Sequence, residues 1–438
     1  MSEKLKAGSV AVRSIGCRTN QEEMTALKYQ LQDQGYNVVE NCADADIVVV
    51  NTCTVTAFTE VKTKRMIKKI HQQAPLAKIM VTGCMAQNKP DEFKTIQGIN
   101  WIVGNTFKNR ITSIVQNSSK GVYHCEFDEN WKDSQPEQIL IKKIHPGGKT
   151  RFPVKIQEGC DFGCAYCIVP SVRGPSRSYH MDQIIKVCYN AVDAGYKEIV
   201  ITGTHIGQFR YGLVNLIRKI LEKKGDFRIR LSSLDPRDLS SELLELISDN
   251  ERVCDHLHVS LQSLSTQVLK RMERPYDSVS DLVGLLNEFR EKCPHGGLGA
   301  DLIAGFPGET DKMFDTTLKR VSDLNLSYAH VFRFSARPGT KACNMSDQID
   351  EKTKSMRSSL LREAIEKSRA LFIRNMKNVK KRIIVESEKP CRGLTSNYIH
   401  VEIPDYGKEK NSWLDVNVLP QTCGRLFTAR VASEFCYD

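Results

Sequence analysis

Three short apolar segments near the start of the chain each run straight into a cysteine. VAVRSIG ends at Cys17, DIVVVNT at Cys53 and KIMVTG at Cys84, with the amphipathic stretches QEEMTALKYQLQDQGY and EVKTKRMIKKIHQQ between them. Short apolar strands alternating with longer amphipathic helices predict an open parallel sheet with helices on its faces. In such a sheet every strand ends on one edge, and that edge is where these folds bind ligands. Thiols far apart in the chain therefore converge on one site.

A second group of cysteines adds a different constraint. EGCDFGCAYCIVPSVRGPSRS sets Cys160, Cys164 and Cys167 at C-x3-C-x2-C spacing. Thiolates so spaced are soft ligands, suited to zinc or to an iron-sulfur cluster. A structural zinc site is closed by four protein ligands. No fourth Cys or His sits at conventional spacing here, since His180 is remote and Cys188 falls in a predicted helix. Three thiolates on a four-iron cube would leave one iron open, and the amino and carboxylate groups of an amino acid suit that position. Other cysteines, such as Cys42, Cys188, Cys254 and Cys293, lie in periodic contexts and read as small core residues.

The remaining chain divides by pattern. Strand-helix alternation resumes at FPVKIQEG and repeats roughly six times, which predicts a partial (β/α)6 TIM-like barrel with its chemistry on the rim where the strands end. KRIIVESE, NYIHVEIP, WLDVNVLP and LFTARVAS are short strands split by Gly, Pro and Asn, as in a small β-barrel. The expected division is an N-terminal open parallel α/β sheet over 1–125, a linker over 126–151, the partial barrel over 152–350, a helical connector over 351–374 and the small β-barrel over 375–438. The GGKT near residue 150 is no phosphate loop, because Lys143 stands where that motif needs glycine. No stretch reaches membrane-span length, so a soluble, cytoplasmic protein with no membrane partner is expected. The formal charge of +11 favours a polyanionic partner, with Arg173, Arg177, Lys62 to Lys69 and MKNVKKR as phosphate-contact candidates.

With Tyr166 just before its third cysteine, CDFGCAYC resembles the signature of radical S-adenosylmethionine enzymes. ITGTHIG, RLSSLDP, HLHVSLQS, VLKRM, DLIAGFPGET and ARPGT, with GCRTNQ, NTCTVT and GCMAQ upstream, extend the resemblance to the methylthiotransferase family over nearly the whole chain. NTCTVT and CRTNQ are most similar to the branch acting on N6-threonylcarbamoyladenosine beside the tRNA anticodon. The small β-barrel resembles that family's TRAM domain, an RNA-binding module. Leu264, Asp235, Tyr179 and Arg333 depart from the family pattern.

The resemblance implies two 4Fe-4S clusters, one on Cys160, Cys164 and Cys167 with S-adenosylmethionine on its open iron, the other on Cys17, Cys53 and Cys84. It implies a methylthio group added to C2 of the modified adenosine, a tRNA anticodon stem-loop as partner, and an electron donor such as flavodoxin or ferredoxin. Tyr166, Thr204, Ser260, Gln262 and Gly305 are the expected cofactor contacts. Two other readings stay open: methylthiolation of isopentenyladenosine tRNA or of a ribosomal protein, and a noncatalytic RNA-binding protein stabilised by metal.

Overall fold

Runs of valine that must be covered on both faces organise the first sheet. The computed structural model describes residues 8–117, 120–124, 126–127, 131, 150–274, 278–377, 379–423 and 426–432. In it, β1 (Ser9–Ser14), β2 (Asn37–Val39), β3 (Ile47–Thr52), β4 (Lys78–Gly83), β5 (Ile99–Val103) and β6 (Gly121–Tyr123) form one parallel sheet ordered β2-β1-β3-β4-β5-β6. Along β3, Val48 and Val50 join Ile67 and Ile70 of helix α2 (Ala57–Gln73), whereas Val49 joins Met24, Leu27 and Leu31 of helix α1 (Arg18–Asp33). A strand buried on both faces has to be apolar throughout, which is why IVVV reads as a continuous run. Only β1, β3 and β4 were legible as strands; β2, β5 and β6 complete the sheet.

The second unit is a partial barrel. β7 (Arg151–Glu158), β9 (Glu198–Gly203) and β10 (Arg228–Leu231) form one parallel group, with the short β8 (Arg177–Ser178) antiparallel on β7. β11 (His256–Gln262), β12 (Gly297–Ala304) and β13 (Tyr328–Arg333) form another. Isolated parallel bridges, Ile229 to Val253 and Leu234 to Val259, join the two groups. Six parallel strands thus follow one another in chain order around a common apolar core, as the alternation predicts.

The last unit is a closed barrel of five strands, β14 (Lys380–Ser387), β15 (Cys391–Thr395), β16 (His400–Ile403), β17 (Trp413–Cys423) and β18 (Leu426–Val431), ordered β14-β15-β16-β18-β17. β15 escapes the sequence reading because Pro390 and Gly393 make PCRGLT look like a turn. Gly393 is instead a close-packing residue, since a Cβ there would come 2.6 Å from the Ile384 carbonyl oxygen.

Buried charge welds this barrel to the partial barrel. Glu198 on β9 accepts from Arg228 Nε at 2.7 Å and Arg230 Nε at 2.8 Å. The remaining guanidinium N–H groups donate to the carbonyls of Arg382, Leu394, Thr395 and Ser396. Two of the MKNVKKR cations serve the same junction, Lys381 pairing with Asp255 at 2.7 Å and Arg382 with Asp226 at 2.8 Å, while Lys380 pairs with Asp415 inside the small barrel. Lys142, Lys143, Lys149 and most of the expected linker lie outside the described residues. Among the described residues no helix is long and apolar enough to cross a membrane.

Candidate active site

β1, β3 and β4 are neighbours in the first sheet, so the cysteines that follow them share one edge. Cys17 is exposed at the N-cap of α1, while Cys53 and Cys84 are buried. Gly16, at φ +114°, lets the loops crowd together: a Cβ there would lie 2.6 Å from Cys53 Cβ and 2.9 Å from its Sγ. Asn105 Nδ2 lies 3.7 Å from Cys84 Sγ and donates to the Val172 carbonyl at 2.6 Å, tying this edge to the partial barrel. Burial, reinforced by the Cys84 thiol, pushes the Cys53 thiol up to about 12.

The second trio sits on the loop after β7. Backbone bonds shape that loop, from Cys160 N to the Gly174 carbonyl at 3.1 Å and from Ala165 N to the Met272 carbonyl at 2.8 Å. Arg274 Nη1 lies 3.4 Å from Cys164 Sγ, and its Nη2 donates to Asp235 Oδ2 at 2.6 Å and to the Ser260 carbonyl at 2.8 Å. His205 Nδ1 lies 3.7 Å from Cys160 Sγ while its Nε2 meets Asp238 Oδ2 at 2.8 Å. Burial pushes the Cys167 thiol up to about 12. Ligation uses the thiolate, and a bound cationic centre would favour it at Cys53 and Cys167.

The donor sets fit clusters better than single ions. Among the described residues, the group of His, Cys, Asp or Glu side chains with ligand atoms all within 4.8 Å of one another is His258, Asp301 and His330, not either cysteine trio. Zinc with bonds of about 2.3 Å would hold its sulfurs roughly 3.8 Å apart. Wider trios, each with three thiols, suit a multi-iron cube with one iron left for another ligand.

Buried ion pairs clamp the two units around this region. Glu23 of α1, 1% exposed, receives Lys108 at 2.6 Å, Arg173 at 2.8 Å and Lys155 at 3.1 Å. Burial alone would raise its carboxyl, but Arg173, Lys108 and Lys155 together hold it well below the usual range. Arg173 Nη2 also donates to Asn20 Oδ1 at 2.7 Å, and Thr19 Oγ1 donates to the Gly203 carbonyl at 3.1 Å. Arg173 and Arg177 are therefore not phosphate contacts. Both are buried, and their charges are taken up by Glu23 and Glu158.

Between the units lies a cavity of about 280 Å³. Cys17, Cys53 and Cys84 line it beside Ile168, Val169 and Val172, the residues that follow Cys167. Thr204, His258, Asp301 and His330 complete its barrel side. Cys84 packs directly on Ile168 and Val172. The Thr204 hydroxyl is buried without a hydrogen-bond partner in the protein.

The other expected cofactor residues do not line this cavity. Ser260 Oγ lies 3.4 Å from Asp301 Oδ2, and Gln262 adopts φ +62° beside a register shift in β11. Tyr166 is half-buried against the barrel core. Gly305 faces Lys354, and its N–H donates to Glu309 Oε2 at 2.8 Å, away from the cavity lining. Of the departures, Asp235 anchors Arg274 and Arg237, Leu264 and Tyr179 are buried, and Arg333 makes a surface pair with Glu351. Sequence reasoning passed over His205, Asp238 and Arg274. His205 stands inside ITGTHIG, so a titratable side chain directly after a strand was the available signal.

The family model described as "Uncharacterized protein family UPF0004" matches residues 9–104, and that of the "Radical SAM superfamily" matches residues 154–321. Threonylcarbamoyladenosine tRNA methylthiotransferase MtaB of Thermotoga maritima is 36% identical over 401 residues, covering 89% of each chain. tRNA-2-methylthio-N(6)-dimethylallyladenosine synthase of Fusobacterium nucleatum is 33% identical, covering 81% of this chain and 82% of that protein. Among solved structures, the radical S-adenosylmethionine methyltransferase TsrM of Kitasatospora setae, with cobalamin and a 4Fe-4S cluster bound, aligns at TM-score 0.58 and 14% identity, covering 77% of each chain. That last likeness is one of fold.

Proposed function

The chain belongs to the radical S-adenosylmethionine methylthiotransferase family, and from this we propose that it adds a methylthio group to C2 of N6-threonylcarbamoyladenosine beside the anticodon of tRNA. The observation that carries the reading is the shared cavity: the edge bearing Cys17, Cys53 and Cys84 and the segment directly after Cys167 line one space between the two units. In this reading Cys160, Cys164 and Cys167 hold one 4Fe-4S cluster with S-adenosylmethionine, and Cys17, Cys53 and Cys84 hold the other. Bound there, these groups supply a 5′-deoxyadenosyl radical and the sulfur of the methylthio group.

The chain's own residues position and protect that chemistry. The Glu23 and Arg173 network fixes the distance between the trios, and Arg337, paired with Thr54 and Glu60 just beyond Cys53, adds a second clamp. Ile168, Val169 and Val172 give the cavity an apolar side that keeps water from a radical. Arg274 and His205 orient Cys164 and Cys160 from behind.

A base must leave the stack to enter such a cavity. Helix α2 starts at the mouth, where Val55 lines the cavity, and continues with Phe58, 75% exposed, and the exposed Lys62, Arg65 and Lys69. Those positions recur at helical spacing, so one face offers an aromatic platform and cations to a single-stranded anticodon loop. The five-stranded barrel is a further RNA contact, and a flavodoxin or ferredoxin is the electron donor.

Anaerobic reconstitution tests the reading. About eight irons per chain are expected, with 5′-deoxyadenosine formed on reduction. Zinc, or a cluster that never cleaves S-adenosylmethionine, contradicts it. Mass spectrometry of tRNA nucleosides from cells lacking the protein tests the substrate: methylthio-threonylcarbamoyladenosine should disappear while methylthio-dimethylallyladenosine persists.

A further inference from the structure

The cavity has one side that neither cysteine trio accounts for. His258, Asp301 and His330 stand on β11, β12 and β13, three strands adjacent in the sheet, and Asp301 is directly opposite His330 in register. One ligand atom from each lies within 4.8 Å of the other two, so all three can engage a single small group. His258 Nε2 is 3.1 Å from Asp301 Oδ1, and its Nδ1 is 3.0 Å from the Tyr328 hydroxyl. That hydroxyl also meets His256 Nε2 at 2.8 Å, so the His258 ring is held from behind. The unpartnered Thr204 hydroxyl lines the same cavity and is an independent sign of a polar ligand.

We infer that this wall selects the N6 substituent of the target adenosine, accepting an oxygen-rich, acidic group and rejecting an apolar one. The inference rests on the methylthiotransferase reading above. With C2 turned toward Cys17, Cys53 and Cys84, the N6 substituent on the neighbouring edge of the base extends along the barrel side of the cavity. A threonylcarbamoyl group carries a carboxylate and a hydroxyl. The imidazole of His330 and the hydroxyl of Thr204 offer donors to the carboxylate, while Asp301, oriented by His258, accepts from the hydroxyl or a carbamoyl N–H. A dimethylallyl group has no polar atom, and it would bury the Thr204 hydroxyl with nothing to bond. Sites built to hydrogen-bond a substrate reject analogues lacking the polar group far more strongly than apolar pockets reject an added one.

The test compares wild type, His330→Phe and Asp301→Asn, each with both clusters, on anticodon stem-loops carrying either N6-threonylcarbamoyl- or N6-dimethylallyladenosine. Affinity is read by fluorescence anisotropy and turnover by nucleoside mass spectrometry. Wild type should favour the threonylcarbamoyl RNA, and His330→Phe should lower that preference by roughly 100-fold or more, mainly through Kd and KM. Iron content, cluster spectra and uncoupled cleavage of S-adenosylmethionine should stay at wild-type levels. An unchanged preference ratio in both variants overturns the inference while leaving the function intact. A stoichiometric non-iron metal lost in Asp301→Asn overturns it too, because the triad would then be a metal site. Wild type inactive on both RNAs removes the underlying reading itself.

Discussion

Replacing Glu198 by glutamine should loosen the joint between the two barrels. Glu198 is fully buried between Arg228 and Arg230, whose other N–H groups hold four backbone carbonyls of the C-terminal barrel. Burial alone would raise its carboxyl, yet Arg230 and Arg228 reverse that and bring its pKa from 4.5 down to about 2. At about 1.4 kcal/mol for each tenfold change in proton affinity, the ionised group contributes roughly 3 kcal/mol. The folded pKa is the lower one, so this stability is complete above pH 4.5 and disappears as pH falls through 2. Glu198→Gln leaves two buried cations without an anion, a change of the kind that costs about 3 to 5 kcal/mol. Denaturant unfolding followed through Trp413, whose ring centroid is 5.1 Å from the Arg228 guanidinium, should show that loss at pH 7. The difference from wild type should shrink by about 2 kcal/mol at pH 3. A loss under about 1 kcal/mol at pH 7, or one equal at both pH values, would refute the electrostatic account.

Further outcomes follow from other sites. Cys84→Ala should remove about half of the roughly eight irons yet keep reductive cleavage of S-adenosylmethionine, read by iron analysis and 5′-deoxyadenosine release. Glu22, buried with an unpartnered Oε2, has its carboxyl raised from 4.5 to about 7, chiefly by desolvation. A raised folded pKa means stability is lost as pH rises from 4.5 through 7, so Glu22→Gln should raise the thermal midpoint at pH 8 and leave it unchanged at pH 4. The gain at pH 8 should be at most about 3 kcal/mol. Lys62→Glu with Arg65→Glu should weaken tRNA binding and flatten its salt dependence by about one unit for each phosphate no longer neutralised, measured by anisotropy across a salt series.

What could be read from the chain alone followed how local each signal is. The convergence of Cys17, Cys53 and Cys84 was legible because parallel strands announce themselves by short apolar runs, and all such strands end on one edge. β15 was not, because PCRGLT carries the residues of a turn and becomes a strand only through pairing with β14 and β16. Arg173 looked like a surface cation for the same reason, since nothing in RGPSRS reveals the acid waiting on α1. Asp235 pairs with Arg274, a partner that only the fold brings near.

The amino-acid order determined the ligand types, the two trios and the alternation that builds both α/β units, because spacing and periodicity act within a few neighbouring residues. Tertiary structure decided which charges are buried, what stands behind Cys160 and Cys164, and how His258, Asp301 and His330 come to face the same cavity as the first trio. Those relations join positions far apart in the chain. A side chain's charge, exposure and partner depend on what packs against it, and only the folded arrangement of the units supplies that.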